Sequence, residues 1–297
     1  MNLRPFLLAL ALVSPAWAGR VAVVQSDDLE PYTAPVQPFL DALGEPADVY
    51  NLGGHRRGAE KLAERLKARP PEVVFALGAK AAWIMHERLP DVPIVYASIL
   101  SPSRFDIEGR NVAGVSMIAA PERSISQLAS FFPELERVIV LRGPSIPNNR
   151  ILAMEQAAAQ VDLELVVERV REPKDVRAAL TKVASKGDAV WLQADREVLD
   201  RNTYRLVVEE THRARVPLVV ETENMVRAGG LFAVVPDPVG VGQKAAYLAR
   251  GVLNGQKPEG EVVYADEVDL VLNVSTVPAI AVPFEELMLD FVDIIVK

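Results

Sequence analysis

The feature that most constrains this chain is a run of short apolar, β-branched segments alternating with amphipathic helical ones, and the run occurs twice. Residues 20–25 (RVAVVQ), 47–52, 72–77 and 92–97 are the strands of the first run. Unbroken apolar runs of this length suit strands covered on both faces, as in a parallel sheet sandwiched by helices. Between them, residues 57–68 space Ala59, Leu62, Ala63 and Leu66 on one helical face, and Pro70-Pro71 ends the helix. A weak helix around 36–43 and a further one over 79–89 complete a βαβαβα order. That order predicts a parallel sheet with helices on both faces.

The pattern restarts with strands at 137–141, 163–170, 188–192 and 217–220, and helices at 147–161, 173–185, 197–214 and near 223–228. A tail adds a strand at 231–235, a helix at 239–253, a turn-forming stretch at 254–260 and short strands near 262–264 and 268–273. Phe284, Leu287 and Phe291 then give helical spacing over 284–296. A chain of 297 residues has room for two such lobes. The fold class expected is α/β, with two doubly wound parallel-sheet lobes.

Residues 93–117 link the two runs. They form a strand, a polar loop over 98–110 and a second short strand over 112–116, just before a helix start at 120–122. Ligands in α/β folds sit at the carboxyl ends of strands, so this loop is expected to line a cleft and lead into the second lobe.

Residues 1–18 read as a secretory signal. Arg4 precedes an apolar stretch over 6–13, and Ala16-Trp17-Ala18 gives a small-x-small cleavage pattern before Gly19. The stretch is short for a membrane span. The chain contains no cysteine, so neither disulfides nor a lipid anchor are expected. A net charge of −8 argues against a nucleic-acid partner, which needs a basic face.

Enzyme motifs are scarce. His55, His86 and His212 lie far apart, and there is no GxSxG elbow, P-loop or strand-linked GxGxxG. No catalytic residue, metal or cofactor is expected. Polar residues instead gather at strand ends: Gln25 and Ser26, Gly78 with Ala79, Ser98, residues 143–149, 193–195 and 221–224. Strand-to-helix turns there expose helix N-terminal N–H groups, which suit carboxylate or phosphate.

These segments resemble the ABC-transporter substrate-binding protein family of the TrpX-like type, which has a type I periplasmic binding protein fold. The resemblance spans residues 19–297 and is carried by VVFALGAKAAW (73–83), VPIVYASILSP (92–102), RNVAGVSM (110–117), VIVLRGPSIPNN (138–149), DAVWLQADREV (188–198), 216–234 and 239–258. It implies three crossings between lobes, near Ala119, near Pro236 and Asp237, and near Gly260. The expected N-terminal lobe is then 19–119 plus 237–259, and the C-terminal lobe 120–236 plus 260–297.

The resemblance also implies hinge-bending capture of a small solute in the periplasm and its delivery to an ABC permease. The alternative is a ligand-sensing module reporting to a sensor protein; a monomer is expected. By matching position, Pro144, Ser145, Asn148, Asp195 and Ser116 join the candidate ligand-binding residues. The sequence departs at Ser101 and Met117, where relatives commonly place acids, at Ala79, at Ala194 to Arg196, and at Glu221, often serine. An ammonium group needs acceptors that a carboxylate supplies best. Either its partner has moved, with Glu221 gained, or the ligand differs.

Overall fold

The computed structural model describes residues 20–181, 188–195, 197–280 and 286–297. The expected signal at 1–18, the end of the helix expected over 173–185, and Phe284 lie outside them. Elements are numbered in chain order. The first sheet holds β1 (Val21–Gln25), β2 (Ala47–Asn51), β3 (Val73–Leu77), β4 (Ile94–Ala97), β5 (Val112–Val115) and β11 (Val262–Val263). Its strands run parallel in the order β11-β5-β4-β3-β1-β2.

Strand residues alternate between two covered faces, which is why these strands carry no polar alternation. Val21, Val23, Val73, Phe75 and Val95 pack on α2 (Val36–Leu43), which follows the short α1 (Glu30–Thr33), and on α10 (Pro238–Leu253). Ala22, Val24, Val74, Ala76 and Ile94 face α3 (Arg56–Ala68) and α4 (Ala79–Arg88). The α2–α10 contact is close enough to require Gly242, since a Cβ there would lie 2.5 Å from the Pro35 carbonyl oxygen.

The second sheet has the order β13-β12-β10-β9-β8-β6-β7. It contains β6 (Arg137–Arg142), β7 (Glu164–Arg169), β8 (Asp188–Leu192), β9 (Leu218–Val220), β10 (Phe232–Pro236), β12 (Val268–Asn273) and β13 (Ile294–Val296). Val138, Val140, Trp191 and Phe232 face α5 (Pro121–Phe131) and α6 (Asn148–Ala159). Ile139, Leu141, Val190 and Val220 face α7 (Pro173–Leu180), α8 (Arg201–Ala214) and α9 (Glu223–Arg227). Both sheets are therefore doubly wound. One strand departs from the all-parallel expectation: β12 pairs antiparallel with β10.

Two expectations need correction. Val262 and Val263 pair with Gly114 and Val115 of β5, so residues 260–263 belong to the first lobe and the third crossing falls at 264–267, not near Gly260. Gly260, at φ +87°, turns the chain into that edge strand. The described part of the C-terminal stretch holds no α-helix: residues 286–291 form a 3₁₀ helix, and Ile294–Val296 pair with β12. Its β-branched end favours a pleated strand over a helix.

The second and third crossings are tied together. Asp237 caps α10, its Oδ1 accepting from Val239 N–H at 3.2 Å and its Oδ2 from Gly240 N–H at 3.0 Å, while its own N–H donates to the Glu267 carbonyl at 3.1 Å. Asp269 sits beside this junction. Burial, followed by the carboxylates of Asp237, Asp293 and Glu223, pushes its pKa up to about 6 from an ordinary 3.8.

The folded protein thus holds this proton more tightly than the unfolded chain. Stability falls as pH rises from about 4 to about 6, and the penalty persists above that window. Asp269→Asn should therefore raise stability at neutral pH by about 1 kcal/mol after allowance for solvent screening. Urea melts from pH 3.5 to 8 check it: the gain should vanish at the acid end, and a pH-independent difference would refute the cause.

Candidate functional site

A cleft of about 1180 Å³ lies between the lobes. That is somewhat larger than the usual small-molecule pocket of about 300–1,000 Å³. The first lobe contributes the loop after β4, including Ser101, Ser103 and Arg104. The crossing adds Ile118 and Pro121, and the second lobe adds Ser145, Asn149, Arg150, Ala194 and Glu221. Tyr264, just past β11, completes the rim. The segment 93–117 therefore does line a cleft and lead out of the first lobe.

The cleft floor is built on a buried ion pair. Arg150, in the first turn of α6, is 7% exposed, and Glu221, at the end of β9, is 3% exposed. Arg150 Nη2 donates to Glu221 Oε1 at 2.6 Å, and Arg150 Nε donates to Gln193 Oε1 at 3.1 Å. Glu221 Oε2 accepts from Ala194 N–H at 2.6 Å. One carboxylate thus ties the ends of β8 and β9 to the start of α6.

Burial works against the Arg150 charge, but the Glu221 carboxylate and the nearby Tyr264 hydroxyl outweigh it and hold its pKa above the ordinary arginine value. Arg150 Nη1 has no hydrogen-bond partner among the described residues. A buried charged N–H left unpaired is costly, so such an atom calls for an explanation.

Of the candidate ligand-binding residues, Ser101, Ser145 and Glu221 line this cleft, joined by Asn149 and Ala194 from the stretches 143–149 and 193–195. The other candidates lie off it, most of them with their polar atoms committed elsewhere. Ser26 Oγ accepts from Ala81 N–H at 3.0 Å, capping α4 in place of Gly78, which has no side chain to do so. Gln25 Nε2 donates to the Tyr32 carbonyl at 3.0 Å, and Ser98 Oγ to the Pro31 carbonyl at 2.6 Å. A Cβ at Gly78 would lie 2.7 Å from the Tyr32 ring, so this edge of the first lobe is filled by its own residues 29–33. Ala79 packs its methyl against the core under α3 and α4.

Ser116 Oγ donates to the Ile118 carbonyl at 2.8 Å and accepts from Ile118 N–H at 3.2 Å, closing the first crossing. Asn148 Oδ1 accepts from Arg142 Nη2 at 2.7 Å beside a separate groove of about 290 Å³ lined by Arg142, Arg169 and Arg171. Asp195, 2% exposed, accepts from Ser145 N–H through Oδ2 and from Glu197 N–H through Oδ1, at 2.8 and 2.9 Å. It holds the cleft loop rather than facing the cleft.

Sequence reasoning missed Arg150 and Tyr264. Arg150 carries a signal: it shares the buried face of α6 with Met154, Ala157 and Ala158, a position where a lone cation needs a partner. Tyr264 has none. Among the described residues no group of acidic, histidine or cysteine side chains could hold a metal ion.

Two doubly wound lobes joined by three crossings, with a cleft between them, define a type I periplasmic binding protein fold. A ligand-free, open substrate-binding protein with adhesive properties from Clostridium difficile superimposes with a TM-score of 0.66 at 19% identity, covering 93% of this chain and 98% of that one. A Streptococcus pneumonia ABC domain in complex with L-Trp gives 0.55 at 20% identity, covering 93% and 99%. A tyrosine-binding protein of Clostridioides difficile (strain R20291) is 21% identical over 252 residues, 82% of this chain and 72% of that protein. The family model for ABC transporter substrate binding proteins matches residues 47–293, and the chain belongs to that family.

Proposed function

We propose that this protein captures a small solute between its lobes in the periplasm and delivers it, chemically unchanged, to an inner-membrane ABC permease. The observation that carries the reading is the cleft itself: both lobes line it, and its floor holds a buried Arg150–Glu221 pair. Residues 1–18 would direct export. It would act as a monomer. The relatives described as binding tyrosine and L-Trp make amino acids the first class to try.

A thermal-shift screen of the mature protein against amino acids, small acids and nucleosides tests the proposal. A solute at a hundred times its Kd stabilises by about 2.7 kcal/mol, which moves Tm by roughly 5–10 °C for lobes of this size. At least one solute should do so; a flat screen would count against capture. Permease and ATPase genes beside its own would favour import, and a sensor-kinase gene there would favour signalling.

A further inference from the structure

Among the described residues Nη1 of Arg150 has no hydrogen-bond partner, and the Tyr264 hydroxyl on the cleft rim lies beside the guanidinium. Nε and Nη2 are spent on Gln193 and Glu221, and the residue is 93% removed from solvent yet lines the cleft. We propose that Nη1 is the recognition group for a carboxylate on the captured solute, an inference that rests on the capture function proposed above. This assigns Arg150 as a specificity-determining residue and Glu221 as the residue that positions it.

Three observations favour a carboxylate. The guanidinium is anchored on two of its three nitrogens, so Nη1 is held in a fixed direction, as planar recognition of a carboxylate requires. The positive end of α6, a 12-residue helix, lies at the same place and adds its field to the charge. Glu221 already offsets much of the Arg150 charge, so an added anion must be held by the unpaired N–H and the start of α6, and a singly charged carboxylate asks less of them than a phosphate does. A doubly charged phosphate would meet Glu221 with a single buried cation between them. Glu221 also keeps acceptor capacity, since a carboxylate offers about four lone-pair sites and, among the described residues, two hydrogen bonds reach it. A cationic group elsewhere on the solute can use that capacity, which would move the ammonium partner from the first-lobe loop, where Ser101 stands, to the second lobe.

The test pairs each acid with a counterpart lacking the carboxylate: succinate with succinamide, L-tyrosine with tyramine, L-tryptophan with tryptamine. Calorimetry on the full mature protein should show the acid of any bound pair at least about tenfold tighter than its counterpart. Arg150→Met alone leaves Glu221 buried and unpaired, so the informative protein is Arg150→Met/Glu221→Gln, verified as folded by circular dichroism. Its affinity for the acid should fall about tenfold to a hundredfold, and its preference for the acid should disappear. Arg150→Lys keeps the charge beside Glu221 but not the fork and should lose most of the preference as well.

A counterpart that binds as tightly as its acid overturns the proposal, as does a folded double variant with unchanged affinity. If only uncharged solutes such as nucleosides bind, the carboxylate assignment fails while capture stands. If no solute binds at all, both fail together.

Discussion

Replacing Glu221 with alanine should destabilise the protein by about 3–5 kcal/mol, the usual consequence of stranding one member of a buried ion pair. The residue is 3% exposed and its two oxygens serve two different donors, Arg150 Nη2 and Ala194 N–H. Truncation leaves a buried guanidinium and a backbone amide unpaired together. Glu221→Gln should be intermediate, because a side-chain amide has one acceptor oxygen for these two donors. Arg150→Met/Glu221→Ala should lose less stability than the two single changes summed, since the charge stranded by either is gone. Urea denaturation of the four proteins gives the coupling energy. A loss below about 0.5 kcal/mol for Glu221→Ala, typical of an exposed position, would show that the pair does not hold the cleft floor.

Asp195→Ala should cost about 2–4 kcal/mol, from two backbone amides that lose a charged acceptor in a buried setting. The carboxylate holds Ser145 N–H on one side and Glu197 N–H on the other, and it packs so closely on Gly143 that a Cβ there would lie 2.2 Å from Oδ2. Solute affinity should weaken too, but indirectly, through a loosened loop at Ser145. Asp195→Asn, which keeps one acceptor oxygen, should recover about half of the stability. The opposite pattern, intact stability with lost affinity, would return Asp195 to the role of a ligand contact. Parallel denaturation and calorimetry on the same protein separate the two.

Asp195 also shows why the site was less legible than the fold. Strand positions announce themselves through local composition: Val73–Leu77 is buried along its whole length, and a short, continuous, β-branched apolar run bounded by turn residues reads as a covered strand. Polar residues at strand ends are ambiguous, because the same side chain can cap a helix, tie a loop or face a ligand. Ser26, Ser98 and Ser116 went to the first two tasks; Ser101, Ser145 and Glu221 lie on the cleft. Arg150 was hidden differently. Its partner Glu221 is 71 residues away, and only the meeting of β9 with α6 brings the two together. The C-terminal strand was missed because apolar residues three and four apart mimic a helix, whereas pairing with β12 is a tertiary effect.

A solute carboxylate seated on Arg150 should also draw the two lobes together over the cleft. Because the chain has no cysteine, spin labels at Lys61→Cys on α3 and Gln156→Cys on α6 would report one distance, across the cleft. That distance should be measured by pulsed electron resonance without solute and with the acid that raises Tm most. A shortened, narrowed distribution that reverts in Arg150→Met/Glu221→Gln is the result predicted here. An unchanged distance at saturating acid, or equal shortening in the double variant, would contradict it.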